Sequence, residues 1–191
     1  AFGTHFPDII VRIHEMPPQE QQASLHTRRV DISFLRRPAE DADLVDELAW
    51  NEKVGVALPK SHPLSMRHRI SLSSLREESF VFLRLKDSRF AQYLRDYCID
   101  AGFVPRISQQ VVESYSLTSL VGAGLGVALV PESLRSVSRA GLVHRPLIEP
   151  APVADVRMLY HPDHSVVVGH FLSFAREFLK RFVGWNEEAV H

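Results

Sequence analysis

The chain has a single cysteine, Cys98, in 191 residues. That excludes an internal disulfide framework and fits a reducing, cytoplasmic setting. It has no surplus of positive charge either: 22 Lys and Arg stand against 23 Asp and Glu, for a net charge of -1. A surface able to neutralise a phosphate backbone needs a basic excess, so the chain by itself is a poor nucleic-acid binder. No apolar run approaches the roughly 20 residues of a membrane span. Neither a nucleophile elbow, an HExxH, a CxxC nor a P-loop occurs. The first residues, AFGTHFPDIIVRIHE, lack a basic n-region and an apolar h-region, so they do not read as a secretory signal. They begin as if within an element, which suggests residues upstream.

What is present is a soluble globular composition, 45% hydrophobic and 24% charged. The most structured stretch is Leu117 to Pro131, LTSLVGAGLGVALVP. A short apolar helix leads into Gly122, Gly124 and Gly126, and Val127 to Val130 then reads as a buried strand closed by Pro131. A dinucleotide loop would need the opposite order, strand before helix, and Val127 stands where the third glycine of GxGxxG belongs. The stretch is therefore an αβ connection in a layered α/β domain.

Ile9 to Glu15 reads as a strand, the segment after Pro17 and Pro18 as a helix to about Arg28, and Val30 to Leu35 as a second strand. That spacing predicts a βαβ unit in a parallel sheet, with the loops Met16 to Gln19 and Arg36 to Pro38 side by side. Leu44 to Trp50 and Val54 to Leu58 are extended. A similar pattern follows: strand Phe80 to Leu83, helix Arg89 to Ala101, strand Arg106 to Val112, loop Glu113 to Ser116 and the helix Leu117 to Ala123. A short helix near Glu132 to Val137, strands at Leu142 to Leu147 and Val156 to Tyr160, and a helix at about Ser165 to Val183 complete the chain. The last helix carries Val167, Phe171, Phe174, Phe178 and Phe182 as its expected core face and returns to cover the first half.

Arg36 follows an apolar strand at the ligand-facing end of a sheet, where it is either a surface arginine or a guanidinium that pairs with a carboxylate. Ser88, Arg89 and Phe90 open a helix, whose N–H groups can receive an anion, although Ser88 is equally an N-cap. Ser114 and Ser116 carry the same two readings. His161 and His164 (HPDH) have a metal-compatible spacing, but with Pro between them and no third ligand they read as a solvated turn. Cys98 lies on an apolar helix face as a core residue.

The ordered set FPDIIVRIHE, RRVDISFLRRP, VGVALPKSHPL, DAGFVP, VVES with LVGAGLGVALVPES, and GLVHRPL resembles the effector-binding domain of LysR-type transcriptional regulators. HFPDI through VDISF is most similar to members controlling aromatic-compound catabolism. The resemblance implies two Rossmann-like α/β subdomains joined by two crossover strands, a type 2 periplasmic-binding-protein-like fold with an effector cleft between them. It places subdomain I at residues 1–51 plus 155–191 and subdomain II at 52–154. The N-terminal winged helix-turn-helix and the domain's first strand are implied to be absent from this chain. Effector contacts fall on Pro18, Arg36, Ser88, Arg89, Phe90 and Ser114, with no metal and no cofactor. The implied partners are a small, carboxylate, possibly aromatic effector, a homodimer or homotetramer, DNA through the missing domain alone, and RNA polymerase for the full-length regulator; no enzymatic activity and no membrane are implied. Two departures matter: Pro18 stands where relatives that bind dicarboxylates often have a hydroxyl residue, and Arg28 where a glycine commonly ends the helix. An alternative reading is a transport solute-binding protein, and a remoter one an enzyme on the same scaffold.

Overall fold

A computed structural model describes residues 1–136 and 140–188, with side chains described to Arg181. In chain order the elements are α1 (Phe2–His5), α2 (Pro18–His26), β1 (Ile32–Arg36), β2 (Val45–Trp50), β3 (Val54–Pro59), β4 (Ser79–Leu83), α3 (Arg89–Asp100), β5 (Arg106–Val111), α4 (Ser114–Gly122), β6 (Ala128–Pro131), β7 (Leu142–Pro146), β8 (Val156–Tyr160) and α5 (Val166–Glu188). The chain divides into two compact units, Ala1–Trp50 with Asp155–His191, and Asn51–Ala154. It passes between them twice.

The first unit is a three-stranded antiparallel sheet ordered β1-β8-β2. Because side chains alternate along a strand, β8 feeds two cores. Met158 and Tyr160 pack with Val168, Leu172 and Ala175 of α5, while Leu159 packs with Leu25 of α2, Leu35 and Leu44. α5 thus covers the first unit. Its buried stripe, however, is Val168, Leu172 and Ala175; Val167 and Phe178 are exposed. Phe171 packs against this core and also meets the ring of Phe2 on α1, as does Phe174, with centroids 5.1 and 5.3 Å apart. The side chain of Phe182, and Val137 of the expected short helix, lie outside the described residues; that helix is a 3-10 turn at Glu132–Ser136.

One expected strand does not form. Ile9 to Glu15 has no ladder partner among the described residues, and Ile10 and Ile13 are 81% and 92% exposed. A strand exists only where its N–H and C=O groups find a neighbouring chain, and β1 pairs instead with β8, antiparallel. The parallel βαβ sheet expected for this half is therefore not formed among the described residues, and strand pairing does not set the loop at Met16 beside Arg36.

In the second unit β3 is central to an antiparallel sheet ordered β6-β3-β7, and β4 and β5 form a parallel pair in register Leu83 to Val111. Its main core gathers Val56, Leu58, Phe80, Phe82, Phe90, Leu94, Cys98 and Leu129. α3 and α4 end alike. Leu125 N–H donates to Leu120 C=O and Gly124 N–H to Val121 C=O; Phe103 and Gly102 repeat the pattern onto Cys98 and Ile99. Gly124 and Gly102 have φ of 86° and 89°, the left-handed conformation this termination requires. α2 closes the same way onto Ser24 and Leu25, but with Arg28 at φ 55° in the glycine position.

Candidate functional site

The sequence-derived site residues fall into two groups, one in each unit. In the first, Pro18 opens α2 and Arg36 closes β1, both half-buried. They are associated through a side chain that the sequence did not point to. Gln22, one turn into α2, donates from Nε2 to Ala39 C=O at 3.1 Å and accepts Ala39 N–H at 3.0 Å. This two-point clamp fixes the loop after Arg36 to the helix that Pro18 begins. Within that loop Arg37 has φ 46°, a left-handed conformation that non-glycine residues adopt at a cost of about 1 kcal/mol or more.

In the second unit the register of β4 and β5 sets the loops at their carboxyl ends side by side. One leads to Ser88, Arg89 and Phe90, the other to Ser114. Ser88 is buried and its Oγ accepts Ala91 N–H at 3.1 Å, so its hydroxyl is an N-cap. Arg89 is the exposed first residue of α3. Phe90 is 4% exposed and packs in the core, so its ring is structural and only its backbone faces the helix opening. Ser114 begins α4 three residues before the expected start of that helix, and Glu113, at the cap position, makes no side-chain capping bond. The first turn of α4, containing Ser114 and Ser116, therefore has the uncapped N–H groups typical of an anion-receiving helix start.

His161 is not in a solvated turn: its Nε2 lies 3.0 Å from Leu25 C=O, and its side chain is 14% exposed. His164 stacks edge-on against Tyr160. Among the described residues His26, Asp41 and Asp43 each offer one metal-ligating atom, all within 4.8 Å. Asp41 is engaged by both neighbours, with His26 Nε2 2.7 Å from its Oδ2 and the backbone N–H of Asp43 donating to its Oδ1. The His26 hydrogen bond holds the Asp41 carboxyl below its usual range. Cys98 is buried, and burial pushes its thiol up to about 12, which removes it as a nucleophile.

Two α/β units joined by two chain crossings, with half-buried polar residues at strand ends and helix starts, define the type 2 periplasmic-binding-protein-like class. The solved structures agree. The effector binding domain of BenM with its effector benzoate superposes with a TM-score of 0.83 at 23% identity, covering 97% of this chain and 84% of that one. Full-length CbnR complexed with its target DNA gives 0.84 at 18% identity, covering 94% and 64%. The LysR substrate binding domain model matches residues 1–180, and the chain belongs to that family. Among curated relatives, the HTH-type transcriptional regulator AlsR of Bacillus subtilis (strain 168) is 29% identical over 170 residues, 87% of this chain and 56% of AlsR. The chain spans about half the length of the curated relatives it matches. No helix among the described residues is long and apolar enough to cross a membrane.

Proposed function

We propose that this chain is the effector-sensing domain of a cytoplasmic LysR-type transcriptional regulator and that its effector is a small carboxylate, aromatic in the first instance. The observation that carries this is that each unit presents polar groups at strand ends and helix starts, Arg36 in the first and the openings of α3 and α4 in the second, in a domain whose structural relative BenM was solved with its effector benzoate. The effector's contacts are Pro18 and Arg36 in the first unit and Ser88, Arg89, Ser114 and the backbone of Phe90 in the second. Residues 1–51 with 155–191 and residues 52–154 act as the two subdomains. Arg36 supplies the countercharge. Pro18, with neither hydroxyl nor N–H, leaves a more apolar wall than a hydroxyl residue would, which suits an aromatic ring over a dicarboxylate.

The domain works by differential affinity: an effector that binds one arrangement of the regulator more tightly shifts the population toward it. The full-length protein acts on DNA through a separate helix-turn-helix domain, as a homodimer or homotetramer in contact with RNA polymerase. Full-length CbnR, a structural relative solved with its target DNA, supports the DNA part of that assignment. The domain is a sensor rather than an enzyme, a reading supported by the curated relatives it matches, which are transcriptional regulators.

A thermal-shift screen against aromatic and aliphatic carboxylates tests this. A ligand at 100 times its Kd adds about 2.7 kcal/mol to stability. Arg36→Ala should weaken an acid's binding by about 1.5 to 3 kcal/mol. Equal affinity in wild type and mutant removes Arg36 from the site, and a screen in which no acid shifts the wild type rejects the carboxylate.

A further inference from the structure

The loop from β4 to α3, residues 84–88, is held by more than its own turn. Arg84 N–H donates to Val111 C=O at 2.8 Å, which extends the β4–β5 ladder one step past Leu83. β5 ends at Val111, and α4 begins at Ser114. The next N–H, that of Leu85, is taken by a side chain: Gln110 Oε1 accepts it at 3.0 Å. The carbonyl of the same residue is also occupied, by Gln92 Nε2 of α3 at 2.7 Å. Leu85 is therefore fixed at both backbone polar groups by two glutamines, one from β5 and one from α3, and its side chain is packed against the core. Three residues on, Ser88 caps α3.

We propose that Gln92 and Gln110 are positioning residues for effector binding, which hold the Leu85 backbone and so set the placement of Ser88, Arg89 and the α3 start. This rests on the sensor reading given above. The two glutamines have opposite hydrogen-bonding roles. Gln110 uses only its oxygen, which a carboxylate reproduces; Gln92 uses its N–H, which a carboxylate lacks and would replace by repulsion against the Leu85 carbonyl. Since Gln110 is an exposed strand residue and Gln92 is half-buried on α3, truncating either changes loop order more than global stability. Each lost bond is expected to raise exchange or weaken binding by about fivefold to tenfold.

The test is amide hydrogen exchange of Leu85, resolved by NMR, together with benzoate titration, on wild type and on Gln92→Ala, Gln92→Glu, Gln110→Ala and Gln110→Glu, each with its Tm. The expected result is faster Leu85 exchange and weaker benzoate binding in both alanine variants at nearly unchanged Tm. Gln110→Glu should restore both readouts and Gln92→Glu neither. Unchanged exchange in the alanine variants overturns the clamp whatever the binding shows. Faster exchange with unchanged benzoate affinity overturns the positioning role, as does rescue by Gln92→Glu. A wild type that takes up no benzoate counts against the effector reading instead, and the exchange data still decide whether the glutamines hold the loop.

Discussion

Gly126→Ala should be the most damaging single-methyl change in the glycine stretch, and Gly124→Ala a mild one, although the two positions look equivalent in the sequence. At Gly124, φ is 86° and a Cβ would meet nothing within 4 Å. The only cost is holding an alanine in the left-handed region, about 1 kcal/mol. At Gly126, φ is 147°, and an added Cβ would sit 3.0 Å from the Ser79 carbonyl carbon and closer still to its oxygen. Those atoms are the backbone of β4, which cannot swing aside as a side chain would. The same carbonyl accepts Val127 N–H at 2.8 Å, and Val127 C=O accepts Val81 N–H at 2.9 Å, so relief of the clash requires opening the junction between β4 and Val127. Backbone strain of about 1 to 3 kcal/mol and overpacking of about 1 to 3 kcal/mol sum to about 4 kcal/mol. At roughly 2 to 4 °C per kcal/mol for a protein of this size, Tm should fall by roughly 8 to 16 °C for Gly126→Ala and by roughly 2 to 4 °C for Gly124→Ala. Urea melts followed by circular dichroism, with m unchanged between variants, provide the measurement. Costs within about 1 kcal/mol of each other would refute the reasoning, because the two sites differ chiefly in the approach of β4.

Three further outcomes follow from the packing. Glu47 accepts from Arg176 at 2.8 and 2.9 Å and from the Tyr160 hydroxyl at 3.0 Å, and the arginine holds its carboxyl below the usual range. Glu47→Gln should cost about 1 kcal/mol at neutral pH, discounted because both side chains are about a third exposed. A depressed carboxylate contributes above its unfolded pKa of about 4.3 and loses that contribution as pH falls through the folded value. The gap between wild type and mutant in urea melts should therefore close below about pH 4, and a gap constant to pH 2 would contradict the assignment. Cys98, buried and with its thiol pushed up to about 12, should resist a disulfide reagent at pH 8 in the native protein and react promptly in urea. Fast native labelling would show that α3 does not hold it in the core. Arg28→Gly removes left-handed strain of about 1 kcal/mol but also the exposed pair with Asp163 at 2.8 Å. The mutant should be neutral to slightly more stable at low salt, and its advantage should grow in 1 M salt, where the pair is screened; a clear loss at high salt would argue against strain at this position.

Much of the second unit was legible in the residues. Phe80 to Leu83 and Arg106 to Val112 are short runs bounded by turns, the α3 helix carries Phe90, Leu94 and Cys98 on one face, and Gly102 and Gly124 stop helices for a reason local to the backbone. Those signals depend on spacings within one element, which the sequence contains in full. The start of α4 was less legible: Ser114 to Ser116 suit a loop by composition, yet they form the first turn because Leu117 and Val121 bury themselves and draw the helix back with them.

What the sequence by itself determined is the order of elements, most of their extents, the core role of Cys98 and the family to which the chain belongs. Tertiary structure alone decided which strands pair. Ile9 to Glu15 has every local mark of a strand and is not one, because a strand's stability lies in hydrogen bonds to a neighbour that local residues cannot supply. It also decided which stripe of α5 is buried. The aromatic series is visible by its spacing, but the sheet buries Val168, Leu172 and Ala175, with Phe171 packed beside them, while Phe171 and Phe174 also meet Phe2 and Phe178 is exposed. The glutamines that hold Ala39 and Leu85 show no sequence signal for the same reason: an amide clamps a loop only where the fold brings a backbone N–H and C=O within about 3 Å of it.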